Sequence, residues 1–279
     1  MQFSTPVDIS PSPWQIGPCE RMLFVGSCFA DNMGRRFAEE KFRTMVNPFG
    51  VMYNPASVYH TVRRLMDEGT MPFTPNEPGT AVITLGTNHI YILKATGEIV
   101  DNCQKRPQQL FREQALTVEE CHRYLSEAVG LIASAFPQVR FILTVSPIRY
   151  RKYGFHGSQL SKATLLLAID QLMQTIAHGQ PPLSYFPSYE ILNDELRDYR
   201  YYQPDMLHPS AQAVDYIYER MAQTYFSDST IQFLREWAPI KAALAHRPFD
   251  ASSPQHQTFV AETKRRAEAL RERWPGLRL

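Results

Sequence analysis

The order of segments in this chain predicts an α/β domain whose mainly parallel sheet lies between helix layers. Three observations carry that expectation. Short apolar runs that stop at glycine, residues 21–26 and 81–86, read as buried strands. Stretches with apolar residues at helical spacing follow such runs. The two kinds alternate along the chain, as crossover helices between parallel strands require.

The elements follow in order. Residues 21–26 form the first strand, and residues 30–41 then place Met33, Phe37 and Ala38 on one helical face. Residues 42–46 are a second strand, ended by Asn47-Pro48. Pro55 suits a helix first turn, and Val58, Val62 and Leu65 continue at helical spacing. Residues 71–80, rich in Pro and Gly, read as a loop before the third strand at 81–86. Residues 90–93 and 98–100 flank Ala95-Thr96-Gly97 and predict an inserted hairpin. Thr117 and Glu120 have the spacing of a capping box, opening a helix to Phe136. Residues 140–145 are the cleanest strand. Residues 150–159 read as a polar loop, 161–177 as an apolar helix, and 183–192 as a further strand and its exit. Pro209 opens a helix to about Tyr225. From Ser229 the pattern is helical and charged, with Arg and Glu at i,i+4 spacing in a solvated appendage. The expected organisation is an α/β domain over residues 1–228 and a C-terminal helical extension over 229–279.

Composition excludes several partners. The 279 residues include 29 basic and 28 acidic ones, a balance that favours neither nucleic acid nor an anionic membrane. No apolar run reaches the roughly 20 residues of a membrane span. The first 18 residues have neither the basic start nor the apolar centre of a secretory signal, so cytoplasmic residence is expected. Cys19, Cys28, Cys103 and Cys121 form no C-x-x-C pair, which favours free thiols over a zinc site.

Parallel sheets bind ligands at the carboxyl ends of their strands. After the first strand comes Gly26-Ser27-Cys28-Phe29-Ala30. The glycine permits a tight turn, and the following helix aims N–H groups at it. Ser27 there could be a nucleophile or simply the N-cap. Cys28 is a rival nucleophile if its thiol ionises at the helix N-terminus, or a source of an oxyanion-binding N–H. Gly50 follows the second strand, where it could let backbone approach the site closely, and Asn88 follows the third, where its side-chain N–H could face an oxyanion; each could instead be an ordinary turn residue. Asp205 and His208, three apart before a helix, can share one turn, so that the carboxylate orients the imidazole. Arg149 and Tyr150, after the 140–145 strand, are candidate substrate-binding residues. His60, His122, His89 and His156 have less claim.

Gly26-Ser27-Cys28-Phe29-Ala30 is similar to the signature of the GSCFA family. The resemblance continues through residues 46–50, 53–55, 83–86, 102–105 and 144–147, then 161–168, 185–199 and 205–210. Gln104 and Tyr150 depart from the His that relatives often carry. The family is related to the SGNH, or GDSL-like, hydrolases. That implies a three-layer α/β/α fold with a catalytic Ser27, Asp205 and His208. It implies oxyanion donors from the first block (Ser27 or Cys28 N–H), Gly50 and Asn88, with Asn54 as substitute for the last.

The function expected on these grounds is serine ester hydrolysis of a small acylated molecule such as an O-acetylated sugar, with no metal or cofactor. An acyltransferase with the same triad, or a non-catalytic ligand-binding protein on the same fold, is the rival. Geometry separates them: an enzyme should bring His208 to Ser27, whereas a binding module could bury Ser27 or turn His208 away.

Overall fold

The computed structural model describes residues 4–103, 106–176, 181–250 and 252–279. At its centre β1 (Arg21–Gly26), β3 (Gly79–Leu85) and β7 (Val139–Val145) run parallel. β2 (Arg43–Val46) and β8 (Leu183–Tyr185) extend them, in the order β2-β1-β3-β7-β8, also parallel. The register sets Phe24 beside Val82 and Val82 beside Ile142.

Strand alternation divides these apolar runs between two cores. Leu23, Val25, Ile83, Phe141 and Leu143 face one way. They pack against α2 (Pro55–Asp67), α3 (Val118–Ala135) and α4 (Gly154–Thr175). Met22, Phe24, Val82 and Ile142 face the other, against α1 (Cys28–Glu39) and α6 (Ala211–Tyr225). Both faces are covered, which is why β1, β3 and β7 read as continuous apolar runs rather than alternating ones. The result is the expected three-layer α/β/α arrangement.

Side chains fix where the helices begin. Ser27, Asn54 and Ser210 cap α1, α2 and α6 by accepting from Phe29, Ser57 and Ala213 N–H. Thr117 and Glu120 form both halves of the capping box at α3.

Three segments differ from the sequence expectation. The insertion after β3 is three-stranded. β4 (His89–Leu93) pairs antiparallel with β5 (Ile99–Val100), as expected, but also with β6 (Phe111–Ala115). The sequence of β6, Phe-Arg-Glu-Gln-Ala, has only one large apolar residue, so pairing rather than burial defines it. α4 starts at Gly154, inside the expected loop, because Phe155, His156 and Gly157 form its solvent-exposed first turn. β8 ends at Tyr185, and the chain turns into α5 (Ser188–Glu190) and a π-helical turn, Ile191–Leu196.

The charged tail folds as α7 (Asp228–Ala245) and α8 (Pro254–Arg273). Phe233, Trp237 and Ile240 of α7 meet Ala267 and Leu270 of α8 and Cys19 of the main domain. Trp237 Nε1 donates to the Glu39 carbonyl at 3.2 Å, and Lys241 Nζ to Glu40 at 2.9 Å. The extension therefore docks at the C-terminal end of α1, the end remote from Cys28. Among the described residues no helix is long and apolar enough to cross a membrane.

From β1 the chain moves to β2 on one side, and later to β3 on the other. In open α/β sheets such a reversal marks the place, beyond the carboxyl ends of β1 and β3, where ligands bind.

Candidate active site

Gly26 ends β1 with φ +140°, and a Cβ there would lie 2.0 Å from the Thr84 carbonyl oxygen. Only glycine allows β1 and β3 to approach this closely at the turn. Gly26 N–H donates to Asn47 Oδ1 (2.9 Å), and Asn47 Nδ2 donates to Asp31 (2.6 Å). Ser27 N–H donates to the Thr84 carbonyl at 3.0 Å.

This clamp decides which side chain faces the crevice. Ser27 is 1% exposed. Its Oγ accepts from Phe29 N–H (3.2 Å) and lies 3.0 Å from Thr84 Oγ1. Cys28, the first residue of α1, carries its Sγ 3.6 Å from His208 Nε2. The sequence reading paired His208 with Ser27; the structure brings it to Cys28 instead. The physical reason is the cap, which turns the Ser27 hydroxyl back onto the helix, while the next residue points outward.

Asp205 and His208 form the expected pair. His208 Nδ1 lies 2.5 Å from Asp205 Oδ2. Asp205 Oδ1 accepts from Leu207 N–H (2.9 Å) and His208 N–H (3.0 Å). The backbone N–H groups of His208 and then Leu207, followed by the imidazole, pull the Asp205 carboxyl down to about 2. A charged carboxylate can only accept, so Nδ1 carries the imidazole proton. Nε2 is the ring nitrogen that faces the thiol. Burial holds the Cys28 thiol above its ordinary value, with the Asp31 and Asp205 carboxylates adding to the rise and Lys162 opposing it.

The expected oxyanion donors are unequally placed. The Cys28 N–H belongs to the open first turn of α1, where N–H groups lack helical partners. Gly50 has φ +94°, but its N–H is engaged with the Asn47 carbonyl at 2.8 Å. Asn88 points toward the inserted sheet: Nδ2 donates to Leu116 O (2.7 Å), and its backbone N–H to Ser161 Oγ (3.0 Å). Its role here is to anchor β4. Asn54 uses Oδ1 to cap α2, which leaves Nδ2 as its remaining donor group. Its neighbour Tyr53 binds Gly86 and Thr87 N–H through its carbonyl, holding this loop across the end of β3.

Arg149 and Tyr150 leave β7 beside the Asp205–His208 loop. Arg149 N–H donates to Leu207 O (3.0 Å) and its guanidinium to Met206 O (3.2 Å). Tyr150 lies beside Tyr53, Tyr91 and Tyr153, and of this group Tyr53 adjoins Cys28. Burial, then the nearby Cys28 and Tyr150, raise the Tyr53 hydroxyl above its ordinary value. Gln104 lies outside the described residues. Among the described residues no cluster of three His, Cys, Asp or Glu side chains could hold a metal. His60 pairs with Asp101 (2.8 Å), and His89 stacks on Tyr153 at 3.8 Å.

Sequence reasoning missed Thr84, Asn47 and Lys162. Lys162 is 1% exposed and donates to the carbonyls of Gly86 and Ser146, each at 2.7 Å. A signal for it existed: it is the one charge on the helical face formed with Leu165, Ala168 and Ile169. Thr84 and Asn47 gave none, because their partners are distant in sequence.

The sequence profile of the GSCFA family matches residues 21–77 and 74–221, and that of the GSCFA domain protein, C-terminal domain, matches 237–279. The chain belongs to the GSCFA family. No curated protein matches it significantly. Among solved structures it is similar to a carbohydrate esterase family 2 enzyme with carbohydrate-binding domain from Corynascus thermopiles (Myceliophthora fergusii). The identity is 16%, over 78% of this chain and 67% of that one, with a TM-score of 0.47. It is also similar to a GDSL-like lipase from Bacteroides thetaiotaomicron (14%; 74% and 87%; TM-score 0.45). A carbohydrate esterase family 3 protein from Talaromyces cellulolyticus gives 9%, 78% and 99%, with a TM-score of 0.43.

Proposed function

We propose that this chain is an acyl hydrolase whose nucleophile is Cys28, with His208 as base and Asp205 as its orienting carboxylate. One observation carries the reading: the chain of contacts from Asp205 through His208 Nδ1 and Nε2 to Cys28 Sγ. The substrate class is a small ester, such as an O-acetylated sugar, with Tyr53 and Tyr150 at the rim of the site.

In the first half-reaction the Cys28 sulfur attacks the ester carbonyl carbon while His208 Nε2 takes the thiol proton. The carbonyl π electrons move to oxygen, where Cys28 N–H and Asn54 Nδ2 are the proposed donors. The tetrahedral species collapses with loss of the alkoxide, which takes the proton back from His208. Water, deprotonated by His208, then attacks the thioester; the acid leaves and the sulfur regains its proton. Burial, which raises the Cys28 thiol above its ordinary value, favours His208 acting as a general base toward that thiol.

Ser27 remains the rival nucleophile, and one experiment separates the two. The protein is mixed briefly with p-nitrophenyl acetate, quenched in acid and mapped by peptide mass spectrometry. The proposal expects acetyl on Cys28, released by neutral hydroxylamine, and lost in Cys28→Ala and His208→Ala. Acetyl on Ser27, persisting in Cys28→Ala, would restore the serine mechanism. Absence of acyl-enzyme together with no turnover by folded wild type would remove the enzymatic reading.

A further inference from the structure

Two cations border the site without a carboxylate partner among the described residues. Arg149 makes no ion pair there; its guanidinium rests on Phe155 at 4.1 Å and reaches Met206 O. Lys162 is buried, and two of its three ammonium protons are given to the Gly86 and Ser146 carbonyls. A glutamine could serve two carbonyls without a charge, so these hydrogen bonds alone do not account for a lysine.

Both cations line one small cavity of about 50 Å³, together with Gln159 and Asn193. Arg149, Gln159 and Asn193 continue into a larger open pocket of about 260 Å³, walled by Tyr199 and Tyr202, with Arg197 and Asp198 as an opposite-charge pair on its lining. Each water-sized occupant needs roughly 10–15 Å³ by this measure, so the inner cavity of about 50 Å³ has room for about three to five heavy atoms. That is the size of a carboxylate. Ile148, Phe155, Ser158 and Tyr189 complete the walls, and among them the lining includes the matching chemistry: a guanidinium, a buried lysine and two amides. The outer pocket offers aromatic faces to the remainder of the ligand.

The position ties this pocket to the triad. Arg149 is bonded to Leu207 O and Met206 O, inside the loop that holds Asp205 and His208. Lys162 and the Cys28 thiol are near enough to influence each other's protonation.

We propose that the cavity between Arg149 and Lys162 is a carboxylate-binding subsite, so that the substrate is an acylated molecule bearing its own carboxylate group. The assignment of this ligand to substrate rests on the acyl-hydrolase reading; the binding site itself does not. The carboxylate accepts from Arg149 and from the third Lys162 proton; Gln159 Nε2 and the second proton of Asn193 Nδ2, whose first goes to Tyr189 O, are further donors. The rest of the molecule lies along Tyr199 and Tyr202.

Binding is measured by calorimetry and ligand-observed NMR on Cys28→Ala, which cannot turn over and so isolates recognition from chemistry. The probes are glucuronate and benzoate, their neutral amides, and inorganic phosphate. The expected result is that a carboxylate binds at least about tenfold more tightly than its amide, the scale of one charge-assisted contact. The preference disappears in Arg149→Met, whose side chain is partly exposed and tolerates replacement, and in Lys162→Met if that variant folds. Equal binding of carboxylate and amide, no binding of either, or a preference that survives in folded Arg149→Met would overturn the subsite. Phosphate binding more tightly than both carboxylates would overturn its assignment to carboxylate. If carboxylates bind as expected but wild type forms no acyl-enzyme, the subsite stands and the hydrolase reading falls.

Discussion

Replacing Lys162 by methionine tests how a buried charge is held beneath the site. Burial pulls the Lys162 ammonium down from its ordinary 10.5 to about 7. A tenfold change in proton affinity is worth about 1.4 kcal/mol, so keeping this charge buried at low pH costs the fold about 5 kcal/mol. The sign follows from proton counting. Between about pH 7 and pH 10.5 the unfolded chain holds a proton on Lys162 that the folded chain has released. Stability due to this group therefore rises with pH across that window, while below pH 7 the full penalty applies. From pH 7 to pH 9 the gain is about 2 kcal/mol, because the folded lysine is half neutral at the start. Lys162→Met has no such gain. It also strands the Gly86 and Ser146 carbonyls, at about 1–3 kcal/mol each if they stay dry. Urea unfolding of both proteins at pH 7, 8 and 9 gives the difference directly, and the difference cancels tyrosine and cysteine titrations common to both. It should move by about 2 kcal/mol in favour of wild type as pH rises. A difference constant to within about 0.5 kcal/mol would show that Lys162 titrates normally, and that the burial argument is wrong.

Three other perturbations probe different links. Gly26→Ala places a Cβ 2.0 Å from Thr84 O at a φ of +140°, so β1 and β3 must separate. A loss of about 3 kcal/mol or more is expected by thermal or chemical denaturation, and a loss under about 1 kcal/mol would contradict the close approach. Trp237→Ala empties the core between α7, α8 and Cys19 and should cost about 3–5 kcal/mol. Limited proteolysis would then cut near residues 246–250 first; unchanged protection would mean that the tail is held by other contacts. Asp205→Asn removes the charged acceptor that fixes the imidazole tautomer, and should slow acetylation of Cys28 by about 10³-fold or more with little change in stability. Wild-type activity between pH 5 and pH 8 should show no titration from Asp205, whose carboxyl is held at about 2.

Much of the fold was legible because local rules and tertiary packing agree. β1, β3 and β7 read as strands because both of their faces are buried, so apolar character is continuous rather than alternating. The capping box at Thr117 was legible because both of its partners lie within one turn. The Asp205–His208 pair was legible for the same reason. β6 and the first turn of α4 were not, since their residues are partly exposed and take their state from neighbours.

The sequence by itself determined the alternation of strands and helices, the turn glycine before α1, and an Asp–His pair on one loop. These depend on residues close together in the chain, where spacing alone fixes geometry. Only the tertiary structure decided which side chain that histidine meets. Thr84, 57 residues from Ser27 along the chain, lies 3.0 Å from its hydroxyl, and the helix cap turns that hydroxyl inward. Cys28 is thereby left facing His208, 180 residues further on. The same is true of Lys162, whose ammonium reaches the Gly86 carbonyl 76 residues back along the chain. Contacts between residues distant in the chain depend on how layers stack, and no local pattern encodes that stacking.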